Sequence, residues 1–199
     1  MFDVLIIGGG PSGSTAALYL GRVLGKEKVL LIDKEDFPRD KICGDAQGRK
    51  AAAIMRELGI EEEYRKLPGQ EIYGITLSSP NGTQVHLDVE NRDKPAPGYV
   101  HKRMIFDKFL FEKAQAAATF MRFDVTDLII EDKNVKGVIG KNEKGEKEEI
   151  RAKIVLGADG ARSIVAVKFG INENPQEHFI VATRQYYKGV KDLTDRIEI

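Results

Sequence analysis

The chain has 199 residues, enough for one well-cored domain with a small second lobe. Lys plus Arg and Asp plus Glu each number 31, so the formal net charge is zero. That balance excludes the basic excess expected of general nucleic-acid binding, and the 42% hydrophobic content is that of an ordinary globular protein.

Cys43 is the sole cysteine, which rules out an intrachain disulfide and suits a reducing, cytoplasmic setting. The opening Met1 to Gly8 has no basic n-region, and its apolar run is too short to span a bilayer, so no secretory or membrane-spanning leader is expected.

Val4-Leu5-Ile6-Ile7 is a short apolar run ending at glycines, the pattern of a strand buried on both faces of a parallel sheet. From Pro11 to Leu24 the period turns helical, with Ala16, Ala17, Leu20, Val23 and Leu24 three and four residues apart. Val29-Leu30-Leu31-Ile32 is a second strand closed by Asp33, which completes a βαβ unit. A second helix is expected over 46–58, with Gly59 as its stop.

Segments 72–77 and 84–89 alternate apolar and polar residues around Pro80-Asn81-Gly82-Thr83, which predicts an antiparallel hairpin with one wet face. Residues 92–98, with two prolines, read as a returning loop, and a third helix is expected over 104–118. Strands are expected at 120–130, 135–141 and 147–151. Ile154-Val155-Leu156 forms a separate buried strand before Gly157-Ala158-Asp159-Gly160. Two more strands are expected after Gly170, around 179–187 and near the C-terminus.

Gly8-Gly9-Gly10-Pro11-Ser12-Gly13 fits G-x-G-x-x-G between a strand and a helix. Gly8 allows a tight turn, Gly10 lets a pyrophosphate approach the backbone, and Gly13 lets helix and strand pack closely. The helix N-terminus adds free N–H groups and partial positive charge. Asp33, 20 residues beyond Gly13, can accept hydrogen bonds from an adenosine ribose. A purely structural glycine turn is the alternative, and the fingerprint by itself does not separate FAD from NAD.

Met1 to Asp33 resembles the opening of the FAD-dependent superfamily that includes p-hydroxybenzoate hydroxylase, and Gly157-Ala158-Asp159-Gly160-Ala161-Arg162-Ser163 is similar to its second, Asp-Gly, signature. Two further stretches, 37–46 with Cys43-Gly44-Asp45 and 100–110 with Arg103, resemble the geranylgeranyl reductase family, in particular its archaeal ether-lipid branch. The likeness extends to Arg184-Gln185-Tyr186-Tyr187 and 195–199.

The resemblance implies an α/β fold: a Rossmann-like FAD/NAD(P)-binding βαβ domain with an antiparallel β insertion and the start of a substrate-binding β-sheet lobe. It divides the chain into 1–70 with 99–170 as the FAD-binding domain, and 71–98 with 171–199 as an incomplete cap lobe. FAD is the implied cofactor, held by Gly8, Gly10, Pro11, Ser12, Gly13, Asp33, Lys34, Arg39, Cys43, Gly44, Arg103, Val125, Ala158, Asp159 and Gly160. Cys43, Gly44 and Asp45 are the implied catalytic stretch beside the isoalloxazine, with Asp45 a candidate proton donor.

The implied reaction is reduction of carbon–carbon double bonds in geranylgeranyl lipid chains. It needs an apolar isoprenoid substrate, an external donor such as NAD(P)H or a ferredoxin-like protein, and peripheral membrane contact. A flavin monooxygenase or halogenase, and an inactive FAD-binding fragment, are the alternatives.

Plainer roles stand beside these. Arg103 can pair with Asp107 one turn on, Cys43 can be a small packed residue, and Asp45 can be turn chemistry. His86, His101 and His178 lack ligand spacing, so no metal site is expected, and 61–63 and 141–149 read as solvated faces. The sequence departs from the family at Asp33, where glutamate is usual, and at Val167-Lys168, where arginine is usual. There is no tryptophan and no late Gly-Asp-Ala-Ala motif. The pattern therefore suggests one piece of a protein about twice this length.

Overall fold

The structure, a computed structural model, describes residues 2–88, 98–171, 177 and 180–199. Contacts divide it into two units, Met1–Arg39 with Asp107–Val181, and Asp40–Phe106 with Ala182–Ile199.

The first unit holds β1 (Phe2–Ile7), α1 (Pro11–Leu24), β2 (Val29–Asp33), β8 (Thr119–Glu131), β9 (Asn134–Asn142), β10 (Lys147–Gly157) and α5 (Ile164–Phe169). A parallel sheet runs β8-β2-β1-β10, and β8-β9-β10 form an antiparallel meander, so the five strands close on themselves. Both long strands serve two partners. β8 pairs with β2 through Thr119 to Arg122 and then with β9, whereas β10 pairs with β9 through Lys147 to Arg151 and then with β1. The separate strands expected at 147–151 and 154–156 are therefore one element that changes partners midway, and Ile154 and Leu156, expected buried, are exposed because the described residues pack on only the other side of this strand's second half.

The core follows from the alternation of these strands. Leu5, Ile7, Leu30 and Ile32 pack against Phe123, Leu128, Val138 and Ile150. The βαβ expectation holds, with β1 and β2 parallel in the register Val4↔Val29 to Ile7↔Ile32. The α5 helix, not anticipated, is capped by the Ser163 hydroxyl, which accepts from the Ala166 N–H.

In the second unit are β3 (Ala46–Gln47), α2 (Arg49–Glu57), α3 (Glu61–Arg65), β4 (Gln70–Ile72), β5 (Gly74–Ser78), β6 (Gln84–Asp88), β7 (Gly98–Val100) and β11 (Arg196–Glu198). The helix α4 (Arg103–Ala117) begins here and crosses into the first unit's residues. Residues 40–70 and 99–106, read from sequence as part of the FAD-binding domain, cluster in this unit. The expected hairpin is β5-β6, with β11 parallel to β5 on its other side. Helix 46–58 starts later than expected because Ala46 and Gln47 pair with β7 instead.

The 180–187 stretch, expected as a strand, carries no regular structure, while Phe179 and His178, and most of the loop at 92–98, lie outside the described residues. Among the described residues no helix is long and apolar enough to cross a membrane.

The acidic run 61–63 forms the first turn of α3, where carboxylates suit the helix dipole and Glu61 makes two bonds to Arg56. Behind it Tyr64 is fully buried, its ring edge-on to Tyr99 at 4.9 Å and to His101 at 5.1 Å. The His101 Nδ1–H donates to the Pro68 carbonyl at 3.3 Å, and burial holds the ring's pKa below the usual histidine value.

The fold thus keeps His101 neutral, while the unfolded chain takes up the proton first. Stability from this site is complete above about pH 6.5 and is lost as the pH falls from there through the lowered folded value. Urea unfolding at pH 7 and pH 5 is expected to show a larger acid loss of stability in the parent than in a His101→Asn variant. Equal losses in the two chains would remove His101 as the cause.

Candidate dinucleotide site

The strand β1 ends at Ile7, and its parallel partner β10 ends level with it at Gly157. Two motifs 150 residues apart are thereby set side by side. The Ala158 N–H donates to the Ile7 carbonyl at 2.8 Å, and the Gly8 N–H donates to the Ile32 carbonyl at 2.8 Å. Gly8 has φ +104°, and a Cβ there would lie 2.5 Å from the Ala158 oxygen and 3.0 Å from the Asp159 Cα. Only glycine accommodates both the backbone angle and the approach.

Gly13 sits in the first turn of α1, where a Cβ would come within 1.8 Å of the Gly8 oxygen. The space at Gly10 is different. A Cβ would meet only the tip of Arg39, with Nη2 at 3.4 Å, so the N-cap of α1 faces open space under a guanidinium. Pro11 occupies the first helical position, where its missing N–H costs nothing, and Ser12 follows it, exposed. The Ser14 hydroxyl, which sequence reasoning passed over, donates to the Gly9 carbonyl at 2.8 Å and braces the turn.

Arg39 lies 5.0 Å over the Phe37 ring, which stacks on Phe111 at 4.0 Å. Its Nη1 is 3.8 Å from the fully buried Asp107 carboxylate. No sequence pattern marked Arg39 as a neighbour of Gly10; the resemblance alone pointed to it.

Asp33 also braces the turn. Its Oδ2 accepts the Gly9 N–H at 2.6 Å and its Oδ1 the Glu35 N–H at 2.8 Å, so this buried carboxylate fastens the glycine turn to β2. Ribose recognition by Asp33 would have to share these oxygens. Lys34 is exposed, and its carbonyl accepts from Arg122. Val125 packs its side chain on the core at a bulge in β8.

Asp159 Oδ2 accepts the Ile164 N–H at 2.6 Å, while its Oδ1 is buried without a partner among the described residues. Ala158 is half-buried beside it, and Gly160 turns the chain at φ +85°.

Cys43, Gly44, Asp45 and Arg103 belong to the second unit. Asp45 is buried, at φ +61°. Its Oδ1 accepts the Arg103 N–H at 3.2 Å, and its Oδ2 accepts the Tyr186 hydroxyl at 2.5 Å. As bonded here the carboxylate accepts on both oxygens, which is the behaviour of a positioning group more than of a proton donor. Cys43 is half-buried.

The family model described as FAD binding domain matches residues 1–188. This chain belongs to the FAD binding domain family. Its cofactor is FAD, and the first unit's residues fit that group. A phosphate can approach Gly10 where a side chain would fill the space, Arg39 supplies a fork of donors beside it, and Asp159 Oδ1 is a buried acceptor with a vacant lone pair.

The FAD binding domain is 38% identical over 198 residues to the digeranylgeranylglycerophospholipid reductase of Methanosarcina acetivorans, covering 97% of this chain and 46% of that protein. Among solved structures it resembles a geranylgeranyl bacteriochlorophyll reductase-like protein from Thermoplasma acidophilum. The TM-score is 0.69 at 31% identity, over 80% of this chain and 38% of the other. It also resembles a myxobacterial chondrochloren halogenase, with TM-score 0.74 at 26% identity over 82% and 38%. The chain spans less than half the length of the curated relatives it matches.

Proposed function

We propose that this chain is the FAD-binding portion of an oxidoreductase that reduces carbon–carbon double bonds in isoprenoid lipid chains. The observation that carries the reading is the extended likeness to the reductases, 38% identity across nearly the whole chain.

When bound, reduced FAD supplies a hydride to an alkene carbon, and a proton completes the other carbon. The protein's part begins with the diphosphate. The free N–H groups at the start of α1 and the Arg39 guanidinium bind its oxygens, while Gly8 and Gly13 keep the turn close to the sheet. Asp33 holds the Gly9 N–H and so stiffens the loop that the diphosphate touches. Asp159 offers its unshared oxygen to a cofactor hydroxyl. Cys43, Gly44 and Asp45, with Arg103, are assigned by resemblance to the cofactor's reactive end. The proposal includes an external electron donor, NAD(P)H delivering two electrons as hydride or a ferredoxin-like protein delivering them one at a time, and peripheral contact with the membrane that carries the lipid.

The second reading is a halogenase or monooxygenase, favoured by the slightly higher TM-score to the chondrochloren halogenase. Its lower identity places it behind the reductase reading.

The decisive experiment is an absorbance spectrum of the purified chain after FAD is added and the excess removed, followed by anaerobic reduction of the bound flavin. Retained bands near ~370 and ~450 nm, and reoxidation upon adding a geranylgeranyl lipid without air, are the expected results. Reoxidation only by oxygen, with hydroxylated or halogenated product, would favour the second reading. A folded chain that retains no flavin would overturn the proposal for these residues.

A further inference from the structure

The segment 180–195 is irregular and largely exposed, yet two of its side chains reach across the second unit into the 40–45 loop. Arg184 and Tyr186 are two apart, so in extended chain they leave the backbone on the same side. Arg184 donates from Nη2 to Asp40 Oδ2 at 2.5 Å and from Nη1 to the Lys41 carbonyl at 2.9 Å. The same Nη1 stands 3.8 Å from Asp45 Oδ1. The Tyr186 hydroxyl takes Asp45 Oδ2, and its ring lies under two cations, Arg184 at 4.6 Å and Lys102 at 4.8 Å from the centroid.

The loop between these bonds holds little regular structure of its own. Asp40 is half-exposed, Asp45 is buried in the left-handed region, and Cys43 and Gly44 lie between them. An irregular loop pinned at both ends by a charge-assisted fork and a phenol–carboxylate bond has far fewer accessible conformations than a free one. Asp45 also accepts the Arg103 N–H on its side chain and the His101 N–H on its carbonyl. Whatever holds Asp45 therefore sets the entry of α4 as well.

We propose that Arg184 and Tyr186 are positioning residues: together they latch the Cys43-Gly44-Asp45 stretch in the geometry that the reaction uses. The functional side of this inference rests on the reductase reading, which puts that stretch at the reactive end of the cofactor. Its structural side does not. Each acts through the 40–45 loop, Arg184 on Asp40 and Lys41 and Tyr186 on Asp45. The phenol's pKa is pushed up, chiefly by its bond to Asp45, and the Asp40 carboxyl is held below its usual range, chiefly by its bond to Arg184.

Because Cys43 is the only cysteine, its alkylation reports on this loop without interference. The 199-residue chain and its Tyr186→Phe, Arg184→Ala, Arg184→Lys and Asp40→Asn variants would be treated with iodoacetamide from pH 7 to pH 10. The pH series separates access from the thiolate fraction, and thermal unfolding of each variant tracks the global fold. Tyr186→Phe and Arg184→Ala are expected to alkylate about ten-fold faster at the high-pH plateau, because one bond to a charged group is lost in each. Arg184→Lys, which keeps the charge opposite Asp40 but not the fork, should fall between parent and Arg184→Ala.

Plateau rates equal to the parent's in folded Tyr186→Phe and Arg184→Ala would overturn the latch. Should either fail to fold, Asp40→Asn, a change at a half-exposed side chain, decides in its place: a faster rate supports the latch and an unchanged one overturns it. Faster alkylation in a chain whose bound reduced flavin ignores geranylgeranyl lipid would sink the reductase reading and leave the latch standing. The reverse result would do the opposite.

Discussion

Gly10→Val will leave the fold standing and weaken FAD binding, whereas Gly13→Ala will damage both. At Gly10 the new side chain meets only the movable tip of Arg39 and otherwise enters the space before the α1 N-terminus. It displaces the diphosphate from the backbone N–H groups. Losing about 2 kcal/mol of charge-assisted hydrogen bonding would weaken FAD about thirty-fold. The thermal midpoint without FAD should match the parent's.

At Gly13 the obstacle is backbone: 1.8 Å from a Cβ to the Gly8 oxygen cannot be relieved by turning a side chain. The helix must lift from the sheet, at a cost of about 3 kcal/mol. For a chain of this size that corresponds to a midpoint lower by about 10 °C. Differential scanning calorimetry and FAD titration of both variants check the pair. A Gly10→Val chain that still binds FAD with parental affinity would show that the diphosphate does not use this turn.

Arg39→Ala is expected to lower FAD affinity about ten-fold and to destabilise the apo chain at the same time. The guanidinium serves two negative partners. One is the incoming diphosphate near Gly10; the other is Asp107, whose side chain is fully buried 3.8 Å away. Removing the cation weakens the support of a carboxylate that water cannot reach, which costs about 1–3 kcal/mol given the long separation and the partial exposure of Arg39.

Arg39→Lys separates the effects. It restores charge but not the fork or the stacking on Phe37, so it should recover more stability than affinity. Chemical denaturation and FAD titration at two salt concentrations provide the measurement. Affinity unchanged in Arg39→Ala at low salt would move the diphosphate away from this residue.

The local part of this protein is written in its order of residues. The apolar run before Gly8, the helical period from Pro11 and the second run ending at Asp33 each depend on neighbours a few positions away. Strand and helix periodicity therefore read them correctly. The βαβ unit, the glycine turn and the Asp-Gly turn were legible in that way, and so was the hairpin around Asn81-Gly82. Where the pattern misled, a distant partner had overruled it. Ala46 and Gln47 look helical but pair with Tyr99 and Val100 of β7, and 147–157 looks like two strands but is one that changes partners.

The site was decided further from home. The parallel register of β1 with β10 brings Gly8 against Ala158 and Asp159. Asp33 is set to brace Gly9, and Arg39 is brought over Gly10 with Asp107 behind it. Asp45 is held by Tyr186 from 141 residues away. None of these contacts has a period, because a hydrogen bond or ion pair between distant segments depends on how buried surfaces meet in three dimensions, not on spacing along the chain. The sequence by itself determined that a dinucleotide turn would form and what chemistry it offers. Only the tertiary structure decided which charged groups surround that turn, since burial makes each carboxylate take the nearest donor that packing brings to it.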